Sequence, residues 1–230
     1  DPYVRASLKN TVVFTVITVP LQTAGSLVLA AVIAELFHNK FGNFVKSSLF
    51  VPVIASAILV GTLWFTLLSP RGVVNSIIHA FGLPSVNWLG GKLTSMLSVC
   101  IVSVWKNVGY FLVIYFAGIM DIPRSLYEAA EVDGANAFQR FFKITLPGLS
   151  SVTFLVVTLG TIWSFQVFDL VYTMTGGGPG PSSVTLVLTT YNAAFKEYNM
   201  GYASAVAMLM FVFVLAVSGL QKLLLKGGED

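Results

Sequence analysis

The sequence predicts an all-α, polytopic bundle of membrane-spanning helices, and three observations carry that prediction. Of the 230 residues, 56% are hydrophobic and only 10% are charged, with a mean hydropathy of +0.83. Soluble domains carry about 25% charged residues, so this composition belongs in lipid. The apolar residues fall in runs near the ~20 residues that a helix needs to cross a ~30 Å hydrocarbon core. Brief polar segments separate those runs, so neighbouring helices are expected to pack antiparallel.

The predicted elements follow in chain order. Residues 1–10 (DPYVRASLKN) are a polar entry, and Asn10-Thr11 open the first span, placed at Thr11–Leu36. Pro20 within it is tolerable because neighbouring helices can satisfy the freed carbonyl. A charged turn leads to the second span, Ser47–Leu68, which contains Pro52. Residues 69–92 are punctuated by Pro, Gly, Asn and Ser. They read as a loop with a surface helix around Val73–Phe81 and with Trp88 at interface depth. The third span is Leu93–Met120, and residues 121–150 form a polar loop. The fourth span, Val152–Phe168, ends at Asp169 and at the Gly/Pro-rich stretch TMTGGGPGPSS (173–183), which cannot continue a helix. Val184–Phe195 is apolar but short, an interfacial or partly re-entrant helix. Gly201–Leu220 is the fifth span, before a polar tail, Gln221–Asp230. Residues 1–230 are thus expected to form a single transmembrane domain. The chain opens on Asp1 with no methionine and no visible signal peptide, which points to a missing N-terminal part.

Several chemistries are excluded. The net charge of +3 is thin and dispersed, suited to span ends rather than to a nucleic-acid footprint. Cys100 is alone and inside an apolar run, so no internal disulfide exists. His38 and His79 lie in separate loops, too isolated for a zinc site, and no metal site is expected. Gly90-Gly91-Lys92 resembles a phosphate loop only superficially: Leu93 follows the lysine, and Val86 stands where the first glycine belongs. No catalytic constellation is present, so the chain is not expected to be an enzyme or to bind a cofactor itself.

The loop Asp121–Ser150 is the one long, charge-dense segment, holding Asp121, Arg124, Glu128, Glu131, Asp133, Arg140 and Lys143. Ile122-Pro123 breaks the incoming span. Ser125 with Glu128 reads as a capping box for a helix Leu126–Val132, ended by Asp133-Gly134 with glycine at a left-handed cap. Asn136 with Gln139 opens a second helix, whose Phe138, Phe141 and Phe142 form an apolar face. Pro147 marks the bend into the fourth span. The expected product is a helix–turn–helix on the membrane surface, with acidic first turns. Two capped helices and seven charges exceed what a connector needs.

Polar groups inside spans usually face a cavity or another helix. The third span offers Ser103, Lys106, Asn107 and Tyr110. Lys106 lies about 20 Å along this helix from Leu93, near the bilayer centre. The lysine fits either a path-lining role or a helix-paired, snorkelling one. The fourth span offers Gly160, Trp163, Ser164 and Val167 at the spacing of one helical face, with Gln166 and Asp169 beside it. An aromatic ring with a hydroxyl suits a sugar; the same ring also suits lipid packing. Gly201, Ala203, Ala205 and Ala207 read as small residues that let helices approach.

Glu128-Ala129-Ala130, Gly134 and Ile144-x-Leu146-Pro147 resemble, without a gap, the EAA loop of ABC-importer permeases. Asn10-Thr11, Trp105-Lys106, Thr175-Gly176-Gly177-Gly178-Pro179 and Gly201-Tyr202-Ala203-Ser204-Ala205 resemble the carbohydrate-uptake permeases of the maltose and glycerol-3-phosphate type. The likeness covers nearly the whole chain, and against that family's usual six or more spans the first span is missing. The resemblance implies a multi-pass subunit of the bacterial inner (plasma) membrane, paired with a second permease, most simply as a heterodimer. Two ATPase subunits would use ATP and Mg, and an extracellular binding protein would deliver a sugar or oligosaccharide. Glu128, Ala129, Ala130, Gly134, Ile144, Leu146 and Pro147 would couple the chain to the ATPase, whereas the segments Ser103–Tyr110 and Gly160–Val167 would line the solute path. It also implies that the loop is cytoplasmic. Lys40, Lys46, Arg124, Arg140, Lys143, Lys222 and Lys226 would then outnumber Arg5, Lys9, Arg71, Lys92 and Lys196 on the other side. Glycerol 3-phosphate or another polar solute is the alternative cargo. A secondary transporter using Lys106 and Asp169 is a more distant reading, since no internal repeat is visible.

Overall fold

A computed structural model describes residues 1–36 and 40–225, the side chains at 40, 41, 43, 224 and 225 excepted. His38, Lys226 and the Lys40 side chain, named above, lie outside the described residues. Every regular element among the described residues is helical: α1 (Pro2–Leu36), α2 (Lys40–Ile54), α3 (Ala57–Leu67), α4 (Val73–Ala80), α5 (Lys92–Asp121), α6 (Arg124–Val132), α7 (Ala137–Arg140), α8 (Leu146–Gly148), α9 (Ser150–Phe165), α10 (Asp169–Met174), α11 (Leu186–Tyr191) and α12 (Met200–Leu225). Two π-helical stretches, Phe141–Thr145 and Asn192–Lys196, continue α7 and α11. Among the described residues, three helices are long and apolar enough to cross a membrane, at Pro2–Leu36, Lys92–Asp121 and Met200–Leu223. Two further pairs, broken at short bends, raise the number to as many as five.

The residues group into two compact units, to both of which α1, α5 and α9 contribute. The first comprises 1–19, 55–104 and 161–220. Phe14, Val60, Val99, Val102, Val171 and Leu188 are at the centre of its core. Its α1 segment begins at Pro2, well before the predicted start, because the polar entry is not a loop. Ser7, Thr11, Thr15 and Thr18 are buried, and each hydroxyl donates to a carbonyl one turn earlier in α1. Asn10 donates to Pro181 O and Val184 O at 2.7 and 3.0 Å, and Thr11 Oγ1 accepts from Leu186 N at 3.1 Å. The helix's own carbonyls therefore satisfy these hydroxyls, and the chain's own loop meets this end of α1 at Asn10 and Thr11. Buried Asn75 ties the 69–88 segment together. Its amide donates to Ser69 O and Val86 O, while its carbonyl oxygen accepts from Val86 N and Trp88 Nε1.

The second unit takes its described residues from within 20–54, 105–160 and 221–230. Leu27, Ala30, Ile33, Phe111, Leu112, Tyr115, Leu149 and Val156 form its core. Close backbone approach replaces side-chain packing where α2 meets α5: a Cβ on Gly109 would lie 2.0 Å from Leu49 O. The predicted continuous helix 47–68 is interrupted, because the chain leaves helical geometry at Ala55 and Ser56. Pro52 lies just upstream and removes one ladder donor, and Lys106 Nζ donates to Val53 O at 3.3 Å in the last turn of α2.

Candidate functional site

The polar loop is built from two short helices with a defined corner. Ile122 and Pro123 end α5, and α6 starts at Arg124 with Pro123 as its N-cap, without a side-chain cap bond. This corrects the expected capping box at Ser125. The helix begins earlier, because Leu126 N already donates to Pro123 O at 3.1 Å, so Ser125 sits inside the first turn. The same shift leaves that turn without an acidic residue. The exit follows expectation: Gly134 takes φ +76°, a conformation open to glycine at little cost. Gly134 N donates to Glu131 O at 3.0 Å and Ala135 N to Ala130 O at 2.8 Å, the paired bonds of a Schellman cap. Asn136 and Gln139 form a full capping box, with both bonds at 2.9 Å. The stretch then widens into the π-turns of 141–145 and bends by 70° from Ala137–Gly148 into Ser150–Phe165.

The residues of the loop divide into two sets. Glu128 and Ala129 are exposed and Ala130 is half-buried on α6, whereas Ile144 and Leu146 pack on the core of the second unit. Pro147 is exposed at the bend. Tyr127 and Thr145 hydroxyls lie 2.9 Å apart, tying α6 to the returning chain. The expected aromatic face is split: Phe141 packs on the core, while Phe138 is 72% exposed and its ring lies 4.5 Å from that of Phe142. A cavity of about 890 Å³ opens between the end of α1 and this loop, lined by Glu35, Arg124, Glu128, Phe138 and Phe142 among others.

One feature of this site has no pattern in the sequence. Arg140 Nη1 donates to Glu131 Oε1 at 2.9 Å, and Arg140 Nη2 donates to Glu35 Oε1. Nothing in the spacing of residues 35, 131 and 140 announces this triad, since the contact with Glu35 joins helices far apart in the chain.

The membrane-embedded candidates are placed less uniformly. On α5, Lys106, Asn107 and Tyr110 are half-buried and share a helical stripe with the buried Ser103. Gly160 and Ser164 face the packed interior. A Cβ on Gly160 would lie 2.4 Å from Gln22 Nε2, and Ser164 Oγ lies 3.1 Å from Thr18 Oγ1. Trp163 is 39% exposed. Val167 does not share their helical face, because α9 ends at Phe165 and Val167 O accepts from Thr185 Oγ1 at 3.1 Å. Beyond its own helix, Gly201 has no atom of the described residues within 4 Å of where its Cβ would lie. Among the described residues, no group of three or more His, Cys, Asp or Glu side chains is disposed to hold a metal ion.

Three comparisons bear on this arrangement. The profile of the family described as binding-protein-dependent transport system inner membrane component matches residues 11–227. The chain is 38% identical over 233 residues to the probable ABC transporter permease protein YurN of Bacillus subtilis (strain 168), spanning all of this chain and 80% of YurN. It is 34% identical over 210 residues to the trehalose/maltose transport system permease protein MalF of Thermococcus litoralis, spanning 90% of this chain and 69% of that one. Its fold matches the crystal structure of a bacterial ABC transporter that imports the acidic polysaccharide alginate. The TM-score is 0.91 at 23% identity, over 100% of this chain and 81% of the other.

Proposed function

The chain belongs to the binding-protein-dependent transport system inner membrane component family, and we propose from this that it is one permease of an ATP-driven importer of a sugar or oligosaccharide. The family is one of transport subunits of the inner membrane rather than of enzymes. An external binding protein hands over the solute, and a second permease and two ATPase subunits complete the machine.

The observation that carries the reading is the register of the polar loop. Glu128, Ala129 and Gly134 lie on an exposed helix and its left-handed corner, while Ile144 and Leu146 anchor the returning limb. In this reading α6 docks in a groove of the ATPase. Glu128 pairs there with a cation, and Ala129 and Ala130 keep the face small enough for close approach. Closure of the ATPase pair then moves the loops and turns the permease pair between inward- and outward-facing states. Ser103, Lys106, Asn107, Tyr110, Gly160, Trp163, Ser164 and Val167 are the candidate path positions. Of these, the half-buried polar groups and the exposed face of Trp163 are better placed for solute than Gly160 and Ser164. The sugar class rests on relatives such as the trehalose/maltose permease.

The test uses the intact complex in proteoliposomes. Wild type is offered labelled trehalose, maltose and sn-glycerol 3-phosphate with its binding protein and ATP. Glu128→Lys and Gly134→Val are expected to lower uptake by about tenfold, at ~1.4 kcal/mol of lost coupling, while hydrolysis continues. Unchanged uptake in both variants, or a wild type that imports without ATP, would sink the reading.

A further inference from the structure

We propose that Arg140 is a positioning residue that locks the docking helix to the first span, so that movement of α6 is carried directly into α1. The inference rests on the reading of α6 as the ATPase-docking helix, but it assigns a role outside the motif that supports that reading. Arg140 stands at the end of α7, where its guanidinium engages Glu131 on α6 and Glu35 in the last turn of α1. Its side chain is only 16% exposed, against 43% for Glu35 and 60% for Glu131, so the cation is the least exposed member of the triad.

The geometry suits a strut. A guanidinium presents donors in a rigid fork and can hold two carboxylates in fixed directions, which a lysine cannot. Exposed ion pairs contribute little to stability, but the argument concerns direction rather than stability. The other links between this loop and the spans are different in kind. Phe141 and Tyr127 pack on the core through apolar contact, which is non-directional and permits sliding. The Tyr127–Thr145 pair joins α6 only to the limb leading into α9. Among the described residues, the Arg140–Glu35 contact is the only ion pair from the loop to α1. Without Arg140, Glu35 and Glu131 are two like charges on the rim of one cavity, neither with another ion-pair partner among the described residues, and α6 and α1 are expected to part.

The test measures ATP hydrolysed per solute imported by the intact complex, using whichever of labelled trehalose, maltose and sn-glycerol 3-phosphate the wild type moves. Arg140→Ala and Glu35→Ala are each expected to raise that ratio about fivefold or more, the range of ordinary coupling between sites. Combining them should add nothing further. The charge-inverted triple variant, Glu35→Arg with Glu131→Arg and Arg140→Glu, should restore the ratio toward wild type. Parallel loss of hydrolysis and uptake at normal subunit ratios, or an unchanged ratio, would overturn the proposal. If Arg140→Ala does not assemble, the shape-preserving Glu35→Gln carries the same expectation, and its unchanged ratio overturns the proposal equally. A wild-type complex that shows no ATP-driven uptake defeats the importer reading instead, so the two failures are distinct.

Discussion

At the residue scale, the decisive contacts are those where a single atom has nowhere to go. Gly109 lies against a backbone carbonyl, and a Cβ there would be 2.0 Å from Leu49 O. Gly118 is crowded only by side chains, its Cβ lying 2.8 Å from Leu149 Cδ2 and Val152 Cγ2. Rotamers can shift to make room and a helix backbone cannot, so the two substitutions should differ. Gly109→Ala is expected to cost about 1–3 kcal/mol, as overpacking does, and Gly118→Ala clearly less. Thermal melting of the complex in mild detergent would show this order; equal melting temperatures would contradict it. Gly134 and the Asn136–Gln139 pair were legible because caps are written in adjacent residues. Gly109 was not, because its neighbour is set by α2 crossing α5, and the Ser125 reading failed because Pro123 had already started the helix.

The elements of the polar loop are short, so caps hold them rather than length. Helix α7 has four residues and would be marginal alone. Its capping box satisfies two backbone donors at once, and Asn136→Ala removes the acceptor of the Gln139 N–H bond. The expected cost is about 1 kcal/mol. Amide hydrogen exchange at 137–145 should then quicken by about fivefold while the core of α5 is unchanged; uniform exchange across the loop and α5 would argue against it. Element ends were the least legible feature. Pro52 was visible, yet the run 47–68 gave no sign of the interruption at Ala55 and Ser56. The end of α9 at Phe165 was likewise hidden inside an apolar run, and it removed Val167 from the face that spacing had assigned to it.

For the whole molecule, composition and hydrophobic run length sufficed for fold class, because continuous apolar runs of about 20 residues fit spanning helices and not the short alternating strands of a barrel. What they could not supply was the division of polar groups between interior satisfaction and solute. In the buried stripe of Ser7, Thr11, Thr15 and Thr18, Thr11 meets the chain's own loop and Thr18 lies against Ser164, and only tertiary placement revealed that. The end of α2 has a related consequence for the energetics of import. Its terminal carbonyls carry the partial negative charge of the helix dipole, about half an electron. Lys106, midway along α5, donates to one of them at Val53. The bond fixes this lysine to the backbone at the end of α2. An ATP-driven importer draws on hydrolysis rather than on an ion gradient. Collapsing the proton gradient and the membrane potential with a protonophore and valinomycin, with ATP held constant inside proteoliposomes, should leave the uptake rate unchanged. A rate that falls with the potential would place Lys106 in a charge-moving step instead.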